Sequence, residues 1–235
     1  MKDLSHIYCI TKNTKNTKNT KNLRATIQIL IDFGIRIFQY RDKEQSKEQY
    51  RKSVASLKSM IASVEGRLIV NDHIDIAIEE DLGLHIGWED LETYAHQQNL
   101  TTIDALLQIR DQLSSSNWLG VTVHNDIEKI SMVSSIVDYV GVGPIFPTTT
   151  KLDTKELIGL ELLQKICSRS NIPIVAVGGI TTQNLPEVVH SGASFFAMCS
   201  EIFDAQDVQA RLRHLSLVLK KANSIPFLER RKIER

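Results

Sequence analysis

The chain has no excess of charge: 28 Lys and Arg stand against 28 Asp and Glu, a formal net charge of zero. Proteins held by bulk electrostatics to nucleic acid or to anionic lipid carry a basic surplus, so neither is an expected partner. No stretch approaches the roughly 18 apolar residues of a membrane-spanning helix. The N-terminus MKDLSHIYCITKN also lacks the apolar core of a secretory signal, which makes the cytoplasm the expected location. Cysteine is scarce. Cys9, Cys167 and Cys199 are odd in number, far apart and without a CxxC pair, which argues against zinc or dithiol chemistry and leaves buried or inert thiols. The seven histidines show no HxxxH or HxH spacing that would bring two imidazoles onto one metal. No Pro-, Gly- or Ser-rich linker divides the sequence, so residues 1–235 read as one domain.

What is present is an ordinary globular composition, 42% hydrophobic and 24% charged, enough for a sizeable core and incompatible with disorder as the main state. Eight short runs rich in β-branched and aliphatic residues recur: 7–11, 35–39, 67–71, 82–86, 118–122, 137–143, 172–178 and 194–199. Their nearly continuous apolar character fits strands covered on both faces, as in a parallel sheet. Helical periodicity separates most of them. In 23–34, Leu23, Ile27, Leu30 and Ile31 share a face and Gly34 is placed as a C-cap. Eight alternating strands and helices in this length predict an α/β fold, a single (β/α)8 TIM barrel, with a doubly wound open sheet as the competitor.

Two segments are irregular. TKNTKNTKN at 11–19 has no apolar face and reads as a mobile loop. It would put Lys12, Lys15, Lys18 and Lys21 on the functional side of a barrel, although a repeat expansion without a role is the preferred reading. The connection at 91–119 is unusually long, with one helix expected from about Thr101 or Thr102 to just before Ser114.

Barrel chemistry sits at the C-terminal ends of strands. Asp72 and Asp90 end neighbouring strands, and hard oxygen ligands of this kind suit Mg²⁺ when phosphate oxygens and water complete the shell. Arg41, Lys43 and Lys151 add positive charge. An acid pair with cations around one mouth fits a diphosphate whose departure must be stabilised. Gly178-Gly179 and Cys199-Ser200 follow the last two strands, where barrels often hold a phosphate, and Thr148 and Thr150 offer hydroxyl donors nearby.

The motifs occur in the order Gln39 to Lys43 (Q-x-R-x-K), Asn71-Asp72 before Asp75-Ile76-Ala77, His85-Ile86-Gly87-Trp88-Glu89-Asp90, Gly143 to Lys151, and Gly178-Gly179-Ile180. In these five ordered motifs the chain resembles the thiamine phosphate synthases, from about residue 7 to about 215. The resemblance implies a Mg²⁺-dependent transferase that couples hydroxymethylpyrimidine diphosphate with hydroxyethylthiazole phosphate, giving thiamine phosphate and diphosphate. It further implies that Asp72 and Asp90 bind Mg²⁺, that Arg41, Lys43, Asn71 and Lys151 hold the diphosphate, and that Gln39 and Thr122 face the pyrimidine. Thr148, Thr150, Gly179, Cys199 and Ser200 would surround the thiazole phosphate, Gly179 and Cys199 through their backbones. A homo-oligomer is left open.

Two positions depart from the family pattern. Trp88 stands where Gln is usual, and an indole beside a metal ligand is expected to reshape the loop. Thr122 stands where Ser is usual, a mild change that keeps the hydroxyl. The competing readings are a thiazole tautomerase, to which His124 in Thr122-Val123-His124-Asn125 is similar in placement, and a paralogue that binds thiamine precursors without turnover. The diphosphate-directed groups argue against both.

Overall fold

Eight apolar runs become eight parallel strands because each is too apolar on both faces to leave either in water. The computed structural model describes residues 4–13, 17–148 and 156–224. In chain order the elements are β1 (Ile7–Ile10), α1 (Thr17–Asp32), β2 (Ile37–Tyr40), α2 (Lys47–Ala62), β3 (Arg67–Asn71), α3 (Ile74–Glu79), β4 (Gly83–Gly87), α4 (Trp88–Gln97) and α5 (Thr102–Gln112). They continue with β5 (Leu119–Thr122), α6 (Ile127–Val133), β6 (Tyr139–Val142), α7 (Gly159–Arg169), β7 (Ile174–Ala176), α8 (Leu185–His190), β8 (Phe195–Met198), α9 (Ser200–Phe203) and α10 (Val208–Ser224). The strands pair in sequence order and β8 closes on β1, with Cys9 opposite Met198. Closure decides between the two expected architectures: this is a (β/α)8 barrel.

The core has two shells. The larger lies between strands and helices; the smaller, inside the barrel, is Tyr8, Ile37, Ile69, Tyr139, Val175 and Ala197. Alternation along each strand feeds the two shells in turn, as the pleat requires.

Two expectations are corrected. The TKN run is not a loop throughout, because α1 starts at Thr17 and takes in 17–19, while 14–16 lie outside the described residues. A helix anchored by its buried Leu23, Ile27, Leu30 and Ile31 extends backward through residues that include no Pro or Gly. Its end is as expected, with Gly34 at φ 90° donating its N–H to Ile31 O at 2.9 Å. The long connection holds two helices instead of one. The missed α4 buries Trp88, Leu91 and Ala95, spaced three and four residues apart, while α5 starts as expected, the Thr101 side chain accepting the Asp104 N–H at 3.1 Å. The tail of this connection is tied to strand starts: Arg67 donates to Ser116 O at 2.9 Å and Asn117 to Asp81 at 2.6 Å. Those contacts lie on the face where barrels store stability.

Trp88 points away from the cavity. Its ring is buried in the outer shell, under the Lys129 ammonium at 4.5 Å, and its N–H donates to Glu92, so it does not line the cavity at the barrel mouth. Trp88→Phe should therefore cost about 1 kcal/mol of stability in a denaturant titration, from the lost hydrogen bond and cation–π contact. The KM for either substrate should stay within about twofold, a limit well below the loss of one substrate hydrogen bond. A tenfold KM change would show that the indole shapes the site after all.

Candidate active site

The C-terminal mouth of the barrel opens into a cavity of about 480 Å³. Gln39, Arg41, Lys43, Asn71, Asp72, Asp90, Thr122, Thr148, Gly179, Cys199 and Ser200 all line it. Lys151 and Thr150, the remaining two expected site residues, lie outside the described residues.

One wall is charged. Asp72 adopts φ 63°, a left-handed conformation that Asp tolerates better than most residues, and its N–H donates to His85 O at 2.9 Å. Its Oδ2 lies 2.6 Å from Asn71 Nδ2 and 3.3 Å from Lys43 Nζ. Asp90 reaches the same cavity from the first turn of α4, where the carboxylate also suits the helix macrodipole. Its Oδ2 lies where Gly87 would carry a Cβ, 3.0 Å away, so the bare backbone of Gly87 makes room for it. Arg41 is oriented through its backbone: Thr11 Oγ1 accepts its N–H at 2.9 Å and donates to its carbonyl at 3.1 Å. Asn13 accepts the Lys43 N–H at 3.2 Å.

The donor set fits a hard divalent cation in one particular way. Among the described residues no three His, Cys, Asp or Glu gather around one point as an all-protein cage would require. Two carboxylates facing one cavity are what Mg²⁺ takes when substrate phosphate oxygens and water supply the rest.

The floor is a buried hydrogen-bonded chain that sequence reasoning missed. Gln39 Nε2 donates to Tyr8 Oη at 3.0 Å, and Tyr8 Oη lies 2.6 Å from Tyr139 Oη. Tyr139 Oη lies 3.0 Å from His85 Nδ1, and His85 Nε2 lies 2.8 Å from Thr122 Oγ1. Burial pushes both phenols well above their ordinary range, so they remain neutral hydroxyls. The chain links the two residues expected at the pyrimidine, Gln39 and Thr122, through His85, named before only as part of a motif, and two tyrosines to which sequence reasoning gave no part.

The opposite wall is made of loops. Gly178 and Gly179 adopt φ 102° and 64°, and a Cβ on Gly179 would lie 2.5 Å from Pro147 O. The pair is therefore required both by its backbone conformation and by the loop after β6 that packs on it. Asn184 shapes this turn by accepting the Thr181 N–H at 2.8 Å and donating to Gly179 O at 2.9 Å. Burial raises the Cys199 thiol to about 11, with Arg41 and Lys12 pulling the other way, which favours the protonated thiol at neutral pH. His124 lines the cavity at φ 58°; its Nδ1 lies 3.1 Å from Gly143 O and its Nε2 3.3 Å from Glu89. Because a carbonyl only accepts, the Nδ1 proton is committed to it.

A family model described as thiamine monophosphate synthase matches residues 7–202. The chain belongs to the thiamine monophosphate synthase family. Among its relatives, the thiamine-phosphate synthase of Chloroflexus aurantiacus is 36% identical over 193 residues, covering 82% of this chain and 83% of that protein. That of Pelotomaculum thermopropionicum is 32% identical over 202 residues, covering 84% and 87%. Of solved structures, a thiamine phosphate pyrophosphorylase from Pyrococcus furiosus shares the fold, with a TM-score of 0.70, 24% identity and coverage of 93% of this chain and 96% of that one. The thiamine monophosphate synthase match ends at residue 202, just inside α9, so it spans all eight strands and the walls described above.

Proposed function

We propose that this protein is a thiamine phosphate synthase that joins the methylene carbon of hydroxymethylpyrimidine diphosphate to the ring nitrogen of hydroxyethylthiazole phosphate, releasing diphosphate. The observation that carries this reading is the division of one cavity. Arg41, Lys43, Asp72 and Asp90 line one side, Gly179 and Ser200 the other, and the Gln39 to Thr122 chain lies between them. Two anionic groups are thus accommodated at the ends of one slot, with the reacting rings between them.

In this mechanism Gln39 and Thr122 orient the aminopyrimidine ring, held by the buried tyrosines and His85. Lys43 and Arg41 face the negative charge that grows on the diphosphate as the carbon–oxygen bond breaks. Lys151 belongs to the same set by family resemblance. Asp72 and Asp90 would hold Mg²⁺, which would supply further neutralisation of that charge. The electron-rich pyrimidine stabilises the methylene cation, and the loops after β7 and β8 hold the thiazole so that its nitrogen captures the cation at close range. No general base is needed, because the thiazole nitrogen captures the cation with its own lone pair and carries no proton to be removed.

A coupled assay with both substrates and Mg²⁺ tests the reading: thiamine phosphate and diphosphate should appear in equal amounts. Turnover of a thiazole alone would favour the tautomerase, and tight binding without product a non-catalytic paralogue. Thr122→Val keeps the shape and removes the hydroxyl that both His85 and the pyrimidine use. It should raise KM for the pyrimidine diphosphate about tenfold, the scale of one lost hydrogen bond in a closed site. Thr122→Ser should stay near wild type.

A further inference from the structure

Behind the thiazole-phosphate wall, and outside the cavity, three polar contacts converge on one carboxylate oxygen. Glu201 Oε1 accepts the Thr182 N–H at 3.0 Å and the Thr182 hydroxyl at 2.9 Å. It also receives Arg211 Nη1 at 2.7 Å, and the same nitrogen lies 3.3 Å from Thr182 Oγ1. The Glu201 side chain is only 10% exposed and Thr182 4%. Thr181 and Ser200 line the cavity, and each immediately precedes one member of this cluster.

The arrangement therefore ties the loop after β7 to the start of α9 through one buried oxygen, with α10 behind it. A buried carboxylate beside an anion site repels the anion unless it is neutralised, and Arg211 supplies that neutralisation. We propose that Glu201 and Arg211 form a neutral clamp that positions the two loops for the phosphate of the second substrate. They are positioning residues, since neither touches the cavity. The inference rests on the thiamine phosphate synthase reading, which assigns those loops to a phosphate monoester.

Steady-state kinetics with each substrate varied, with calorimetric binding of hydroxyethylthiazole phosphate alongside, test it. Glu201→Ala frees the loops and should raise KM and Kd for the thiazole phosphate about tenfold, the effect of losing a charged buried acceptor. The KM for the pyrimidine diphosphate should move less than about twofold, which also reports an intact barrel. Glu201→Gln keeps the acceptor and should recover most of the affinity. Arg211→Gln leaves a buried negative charge facing the anion and should again weaken the thiazole phosphate about tenfold. Adding Glu201→Gln to it removes that charge and should restore affinity to within about threefold of wild type, as a double-mutant cycle of coupled sites requires. A purely structural contact predicts the opposite, a double variant at least as damaged as Arg211→Gln, and that result overturns the clamp. So does an unchanged thiazole-phosphate KM in Glu201→Ala when the wild type makes product. A wild type that makes no thiamine phosphate overturns the functional reading itself, and this inference with it.

Discussion

Asp72→Asn is expected to lower kcat about 10²- to 10³-fold, the scale for removing one preorganised electrostatic element from a site where charge develops. The substitution is chosen for the backbone. At φ 63° asparagine is tolerated nearly as well as aspartate, whereas alanine would add strain and blur the result. What disappears is the charge. Asp72 Oδ2 faces Lys43 Nζ at 3.3 Å, so its loss withdraws the proposed cation ligand and also the charged partner of the lysine at the mouth. The Mg²⁺ concentration for half-maximal rate should rise together with the fall in kcat, and the melting temperature should hardly change. A variant with wild-type kcat and wild-type Mg²⁺ dependence would remove Asp72 from the metal assignment.

The second large effect falls on the floor. A Cβ at Gly120 would lie 2.0 Å from Tyr139 Cζ and 2.4 and 2.5 Å from its two Cε atoms, distances that no real contact reaches. The ring cannot step aside easily. It is 1% exposed, stacks on His85 with centroids 5.6 Å apart, meets Trp118 at 5.8 Å, and is held at its hydroxyl by Tyr8 and His85. Gly120→Ala should cost more than about 3 kcal/mol, the upper part of the overpacking range. For a chain of this size that lowers the melting temperature by about 10 °C. The pyrimidine diphosphate KM should rise as well, because a displaced Tyr139 breaks the chain between Gln39 and Thr122. Adding Tyr139→Leu makes room for the methyl group and should recover part of the melting temperature without recovering that KM. A single variant as stable as wild type would show that the ring has somewhere else to go.

These two sites differ in how far the sequence announces them. Asp72 is legible because a polar pair directly following an apolar run marks the mouth of a barrel, and the same logic found Arg41, Lys43, Asp90 and Thr122. The strand count was legible for the same reason, since strands covered on both faces leave unbroken apolar runs. Tyr8 and Tyr139 were not legible. They are 131 residues apart, each sits inside an apolar run and passes for ordinary core, and only closure of the barrel brings their hydroxyls together. The Glu201 and Arg211 pair stayed hidden because its partners come from three separate elements. The helix α4 did leave a signal, Trp88, Leu91 and Ala95 at helical spacing, but its polar first turn reads equally well as the end of a strand.

The chain contains two tryptophans, and the fold places them in different shells: Trp88 among the outer helices and Trp118 against the inner cluster, tilted against Tyr139 and Phe195. Trp88→Phe leaves a single indole emitter at the base of the strands. Its emission then reports the interior of the barrel alone, so unfolding followed by fluorescence and by circular dichroism separates loss of the inner cluster from loss of the helices. In that background the displacement of Tyr139 by Gly120→Ala becomes an optical signal, readable without substrate and without turnover.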